Sequence, residues 1–211
     1  MWGTPSGENP KNKFAKDNER NKKMFIETES TPNPNTLKFL PGLEVMGPTG
    51  ETADFVNAEE ATSSALATAF FSVNGVKSVF FGRDFVSITK DDEVDWADLK
   101  PVVLSVLVDH FVSGQPIMNQ QAANVQEEGI APEDEAIVEQ IKELLDTRVR
   151  PAVAADGGDI VFRGYSQGVV KLMMQGACSG CPSSRATLKH GVENMLKHYV
   201  PEIVAVEQVD L

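Results

Sequence analysis

The chain reads as an α+β protein of two small α+β domains joined by a flexible linker. Three observations predict this. Helical stripes and short β-type runs occur on both sides of an amide-rich stretch at 113–131 (SGQPIMNQQAANVQEEGIA), which has no sustained apolar period. The 211 residues, 41% of them hydrophobic, suffice for a core on each side. The only two cysteines fall where a β-type run gives way to a helical stripe. The divisions expected are a disordered extension at 1–23, a first domain at 24–112, the linker at 113–131 and a second domain at 132–211.

Residues 1–23 are polar, with isolated Trp2 and Phe14. They lack the apolar stretch of a signal peptide. With one Arg, one Ser and three acids they also lack the composition of a transit peptide, so a cytoplasmic location is expected. Phe25-Ile26 and Leu37-Lys38-Phe39-Leu40 read as extended runs. Pro32 and Pro34 between them exclude ladder hydrogen bonding and mark a rigid turn. Asn57-Ala58-Glu59-Glu60 resembles a capping box that opens a helix through Ala65, Leu66, Ala69 and Phe70. Val76–Phe81 and Phe85–Thr89 read as strands of a hairpin over Gly82-Arg83-Asp84. The stripe Trp96, Leu99, Val103, Val106, Leu107, His110 marks a second helix, with Pro101 expected to delay its start or kink it. His110 on that stripe reads as a core residue, not a ligand.

In the second domain, Pro132 with Glu133, Asp134 and Glu135 suits a helix start, followed by the stripe Ile137, Val138, Ile141, Leu144, Leu145, Val149. Pro151 is expected to weaken that helix end. Asp156-Gly157-Gly158-Asp159 pairs two carboxylates, but its glycines suit a turn and no nucleophile accompanies them, which favours a structural role. Strands at 159–165 and 168–175, a helix with stripe Leu188, Val192, Met195, Leu196, Tyr199 and a last strand at 203–209 give the order α-β-β-α-β.

The cysteines, Cys178 and Cys181, are spaced C-x-x-C at the strand-to-helix junction, read here as an exposed loop. Pro182 suits a first helical turn, which places Cys181 near a helix N-terminus, where unpaired N–H groups and the macrodipole favour a thiolate. Such a pair serves a dithiol/disulfide couple, half of a zinc site or half of an iron–sulfur site. His190 lies nine residues beyond Cys181, on the opposite side of the helix, and His198 and His110 are no better placed. A cysteine-only metal centre therefore needs a second subunit to complete it.

Asp156-Gly157-Gly158-Asp159, the hairpin, Gly176 to Ser184 (GACSGCPSS) and the closing helix resemble the C-terminal domain of the NifU family, over about Pro132 to Val209. Met24 to Gly42 (MFIETESTPNPNTLKFLPG) resembles the domain that precedes it in Nfu-type proteins. The resemblance implies a scaffold or carrier, not a turnover enzyme. Cys178 and Cys181 of two subunits would hold an iron–sulfur cluster, usually 4Fe–4S with 2Fe–2S as the alternative. Upstream cluster assembly proteins and apo iron–sulfur recipients would be its partners, with a homodimer forming on cluster binding. Thioredoxin-type dithiol chemistry fits less well, because a β-hairpin and not a βαβ unit precedes the motif. A dimeric structural zinc site is the remaining alternative.

The net charge of −12 argues against a nucleic-acid surface, and no run approaches 18 consecutive apolar residues, so neither nucleic acid nor a membrane is an expected partner.

Overall fold

Residues 25–47, 51–119, 131–179 and 182–209 are described by the computed structural model, the side chains of 182–185 and 187 excepted. The expectations for 1–23, for the heart of the linker at 120–130 and for Cys181 lie outside the described residues.

The first domain is an antiparallel sheet of order β1-β2-β5-β4-β3, with β1 Glu27–Ser30, β2 Thr36–Leu40, β3 Ala53–Phe55, β4 Val76–Phe81 and β5 Val86–Lys90. Side chains alternate across a strand, so Phe39, Val79, Phe81, Val86 and Ile88 fall on one face. There they share a core with Leu66, Ala67 and Phe70 of α1 (Ala65–Phe71) and Leu99, Val103 and Leu107 of α2 (Trp96–Ser113).

Half of the expected capping box forms: Glu60 N donates to Asn57 Oδ1 at 2.9 Å, but the Glu60 carboxylate accepts from Asn57 Nδ2 (2.9 Å) and Val56 N (3.3 Å) in place of Asn57 N. It opens a 3₁₀ turn, Glu60–Ser63, and α1 then begins under a separate cap, Ser64, whose hydroxyl accepts from Ala67 N. The hairpin over 82–84 is closed by Gly82 N donating to Phe85 O. Pro101 does not delay α2. Asp95 caps the helix at Trp96 by accepting from Ala97 N at 2.9 Å, and proline removes only one bond within the early turns. Residues 114–119 fold back onto this domain: Ser64 Oγ donates to Ile117 O, Asn119 N to Ser63 O at 2.8 Å, and Ile117 and Met118 pack on its core.

The second domain has the expected order. Strands β6 (Gly158–Ser166) and β7 (Val169–Gly176) form the hairpin, and β8 (Ala205–Gln208) adds parallel to β7. Helix α3 (Glu135–Leu144) passes through a π-helical turn, Leu145–Val149, into α4 (Arg150–Ala155). The helix therefore continues past Pro151. The wider turn places proline in the opening turn of α4, where a missing N–H is tolerated. Helix α5 (Pro182–Tyr199) brings Val192 and Leu196 into a core with Val138, Ile141, Leu145, Ile160 and Leu172.

The sheet face of the first domain that points away from its helices carries Lys38, Phe80 and Ser87 by the same alternation. It is not open. Phe80 and Ser87 are each 1% exposed and Lys38 is 7% exposed. The turns of the second domain cover it.

Candidate functional site

Strand β7 ends at Gly176 with φ +63°, a conformation side-chain-bearing residues rarely adopt. A Cβ there would also stand 2.8 Å from both Gly157 O and the Phe80 ring. From this glycine the chain turns through Ala177, Cys178 and Ser179 toward α5. Ala177 N donates to Gly157 O, and Ser179 bonds Gly176 O through its N–H (3.1 Å) and its hydroxyl (2.8 Å).

The turn presents its residues to two sides. Cys178 points into the second domain: it is 5% exposed and belongs to that domain's core. Gly158 makes room for it, since a Cβ at that position would lie 2.9 Å from Cys178 Sγ and 2.5 Å from Gln175 O. This corrects the expectation of an exposed cysteine loop. Strand, turn and helix occur where expected, but the side chain between them turns inward because glycine opposite leaves a space the thiol fills.

The other residues of the turn face the first domain. Asn33, the first Asn of the Pro-Asn-Pro-Asn turn, is held by its neighbours: its N–H donates to Thr31 Oγ1 and its Oδ1 accepts from Asn35 N at 3.0 Å. Its Nδ2 reaches Ala177 O at 3.4 Å. Ser87 Oγ donates to Gly157 O at 2.7 Å, and Lys38 Nζ reaches Ala155 O at 3.5 Å. Gly176 N donates to Asp54 Oδ2 at 3.4 Å. Burial pushes the Asp54 carboxyl up from the usual 3.8 to about 6, with the Gly176 bond pulling it down and Glu60 adding to the rise. A cavity of about 210 Å³ opens beside Ser179, lined by Asn33, Asn35, Lys77, Ser78 and Lys90 among others.

The paired carboxylates of 156–159 separate. Asp156 is exposed, whereas Asp159 is buried and ion-paired. Arg150 donates to it through Nε (2.8 Å to Oδ1) and Nη2 (2.7 Å to Oδ2), and Thr52 Oγ1 donates to Oδ2 at 2.9 Å. The bonds to Asp159, with a further one to Asp146, raise the Arg150 pKa above its ordinary value, against the opposing effect of burial. A carboxylate committed to a bidentate guanidinium is a structural tie and not a base.

His190 and His198 are exposed. His110 is buried beside Phe111, with no hydrogen-bond partner for Nε2 among the described residues. No group of three or more His, Cys, Asp or Glu that could hold a metal ion occurs among the described residues. Cys178 is thus the one expected ligand whose surroundings are described.

Asn33, Ser87 and Asp54 were not singled out as site residues by sequence reasoning. The available signal was the alternation itself, which puts polar Ser87 and apolar Phe80 together on a sheet face with no helix of its own domain to cover them.

Two family models match. "Scaffold protein Nfu/NifU N terminal" covers residues 26–114, and "NifU-like domain" covers 141–207. The chain is 55% identical over 186 residues to the NFU1 iron-sulfur cluster scaffold homolog, mitochondrial, of Drosophila sechellia, across 88% of this chain and 65% of that protein. It is 53% identical over 186 residues to the protein of the same name from Drosophila virilis, across 88% of this chain and 62% of that protein. It thus spans somewhat less than two thirds of the length of these relatives. Among solved structures, a NifU-like protein from Saccharomyces cerevisiae is 30% identical, with a TM-score of 0.40, over 46% of this chain and 87% of that one. The relatives' names overturn the cytoplasmic expectation, since they are designated mitochondrial. The composition of residues 1–23 describes only that stretch and was no measure of compartment.

Proposed function

The chain belongs to the Nfu/NifU family of iron–sulfur cluster scaffold proteins, and on that premise we propose that it carries a 4Fe–4S cluster as cargo between two copies of itself and passes it to apo-proteins. One observation carries this reading: the only two cysteines of the chain, Cys178 and Cys181, fall in the sequence between the end of β7 and the start of α5. No other cluster of metal-ligating side chains occurs among the described residues. One copy offers two thiolates, so a four-thiolate site takes two copies.

Cys178 and Cys181 of each copy are the ligands in this reading. Backbone N–H groups at the start of α5 can bond to cluster sulfurs. Cargo held at the join of two subunits is releasable, because a recipient's thiolates can replace one cysteine at a time while each domain stays folded on its own core. The names of the relatives support a mitochondrial setting, with cluster-assembly proteins upstream and apo iron–sulfur proteins as recipients.

The test is anaerobic loading with iron and sulfide, followed by Mössbauer and absorption spectra, iron per chain and sedimentation. Expected are about four irons per two chains, a dimer when loaded and a return toward monomer on chelation, because ligand binding and dimerisation are linked. A loaded monomer overturns the bridged cluster. Tight zinc binding or disulfide turnover without iron uptake returns the zinc or dithiol reading.

A further inference from the structure

We propose that the cavity beside the Pro-Asn-Pro-Asn turn is an anion site that takes a phosphate group, free or carried on a small ester. The site uses none of the cluster ligands and does not rest on the scaffold reading.

Its walls come from three places in the first domain: Asn33 and Asn35 of the turn, Lys77 and Ser78 of β4, and Thr89 and Lys90 of β5. Ser179 of the second domain closes one side. Two lysines and no acidic residue line it, in a chain with 31 Asp and Glu against 19 Lys and Arg. The positive spot is therefore local and runs against the charge of the whole.

Lys90 is the residue that points to a ligand. It is 9% exposed, and its Nζ donates to Asn35 Oδ1 at 3.1 Å and to Asp91 O at 3.3 Å. Both acceptors are neutral, and no carboxylate pairs with it among the described residues. The carboxylate of Asp92 is taken by Asn35 Nδ2. An ammonium has three donors, so one remains together with the whole charge. Burying a charge without a counter-ion costs free energy. Holding Asn35 needs only a neutral donor, so the charge is surplus to the fold. A bound anion supplies its counter-ion.

A bulge in β4 delivers the second cation. Val76 lies opposite Lys90 and Ser78 opposite Thr89, which leaves Lys77 as an extra residue. In an unbroken strand Lys77 and Ser78 would point to opposite faces. The bulge re-aims them, and both line the cavity. Lys77 is exposed and has no acidic partner among the described residues.

The donor set favours phosphate over carboxylate. A carboxylate is matched best by the planar fork of arginine, and no arginine lines the cavity. Ammonium, amide and hydroxyl groups on three chain segments offer separate donors from several directions, as the oxygens of a phosphate require. A phosphate charge of about −1.5 to −2 near neutral pH answers two ammonium groups. The volume of about 210 Å³ holds about seven waters at ~30 Å³ each. That is room for a phosphate and a short ester chain, and below the roughly 300 Å³ at which pockets for drug-sized ligands begin.

The experiment follows the backbone amides of the cluster-free full-length chain by NMR near neutral pH, at constant ionic strength held with sodium chloride. Inorganic phosphate and glycerol 3-phosphate are titrated separately. Saturable shifts are expected at Asn35, Ser78 and Lys90, with a Kd of about 1 mM or tighter. Lys77→Gln and Lys90→Gln each keep a donor and remove a charge. Each should weaken binding about tenfold, with the far-UV circular dichroism spectrum unchanged. Tighter binding of the ester assigns the rest of the cavity to its chain, and tighter binding of inorganic phosphate assigns it to the free ion; either result supports the site. No saturation by either probe at about ten times the expected Kd overturns it. So does succinate saturating the same amides equally well, or phosphate binding undiminished in Lys77→Gln. If Lys90→Gln loses its far-UV spectrum, Lys77→Gln, at an exposed position, decides alone. No step of this test involves iron, so it succeeds or fails independently of cluster loading.

Discussion

Ser87 of the first domain donates its hydroxyl to the carbonyl of Gly157 of the second at 2.7 Å, the shortest of the bonds that join the two domains. Gly157 has φ +82°, and its carbonyl also accepts from Ala177 N. One oxygen therefore ties together the sheet, the glycine turn and the start of the cysteine turn. Disturbing any of the three is expected to be felt at the other two.

Gly158→Ala should destabilise the second domain. The new methyl would stand 2.5 Å from Gln175 O and 2.9 Å from Cys178 Sγ, and the backbone oxygen cannot move aside cheaply. Overpacking of this kind costs about 1–3 kcal/mol. Thermal unfolding by circular dichroism should show a melting point several degrees lower. An unchanged melting point would mean that the turn relaxes freely and that Cys178 is not held by its space.

Arg150→Met should cost more than Asp159→Asn. The carboxylate of Asp159 is 4% exposed, whereas the Arg150 side chain is 28% exposed, so removing the arginine leaves a buried charge and removing the aspartate leaves a cation that can reach water. Breaking a buried pair by deleting one partner costs about 3–5 kcal/mol. Denaturant unfolding of the two variants should place Arg150→Met below Asp159→Asn, and the reverse order would refute the structural role given to this pair.

Cys178→Ser should abolish cluster loading and also lower stability. From sequence, a loop cysteine would be removable without harm to the fold. Its place in the core changes that expectation, because a serine hydroxyl there is a buried polar group in an apolar setting. A loss of about 1–2 kcal/mol is expected, against a smaller one for Cys178→Ala. Iron per chain and urea midpoints measured on the same samples separate the two effects.

Much of this fold was legible because the apolar stripes of α2, α3 and α5 and the alternation in β4 and β5 are strong local signals. The Asn57 cap on Glu60 N and the glycines at the start of β6 were equally readable, since each answers a local backbone demand. The inward turn of Cys178 was not legible: it depends on Gly158, twenty residues away and brought opposite only by hairpin pairing. The continuation of helix past Pro151 depends on a π turn, for which the sequence carries no periodic mark. The covered sheet face is a long-range fact of the same kind. Ser87 and Gly157 are seventy residues apart, and no local pattern in either segment announces the other.

Asp54→Asn should stabilise the folded chain at neutral pH and remove one source of its pH dependence. Burial at the join pushes the Asp54 carboxyl from 3.8 to about 6. The folded chain therefore binds more protons than the unfolded chain between those values. The contribution of Asp54 is fully present below about pH 4 and is lost as pH rises through about 6. At pH 7.5 the ionised carboxylate thus works against folding, although Gly176 N partly compensates it. Asparagine keeps an oxygen able to accept from Gly176 N and has no charge to desolvate. After allowance for solvent around a partly exposed group, the gain should be on the order of 1–2 kcal/mol at pH 7.5 and near zero at pH 4.5. His110, whose pKa burial lowers, titrates in wild type and variant alike, so its contribution cancels in the difference between them. The measurement is the melting point of both proteins from pH 4.5 to 7.5. A difference that does not grow with pH would show that burial does not hold the Asp54 carboxyl up.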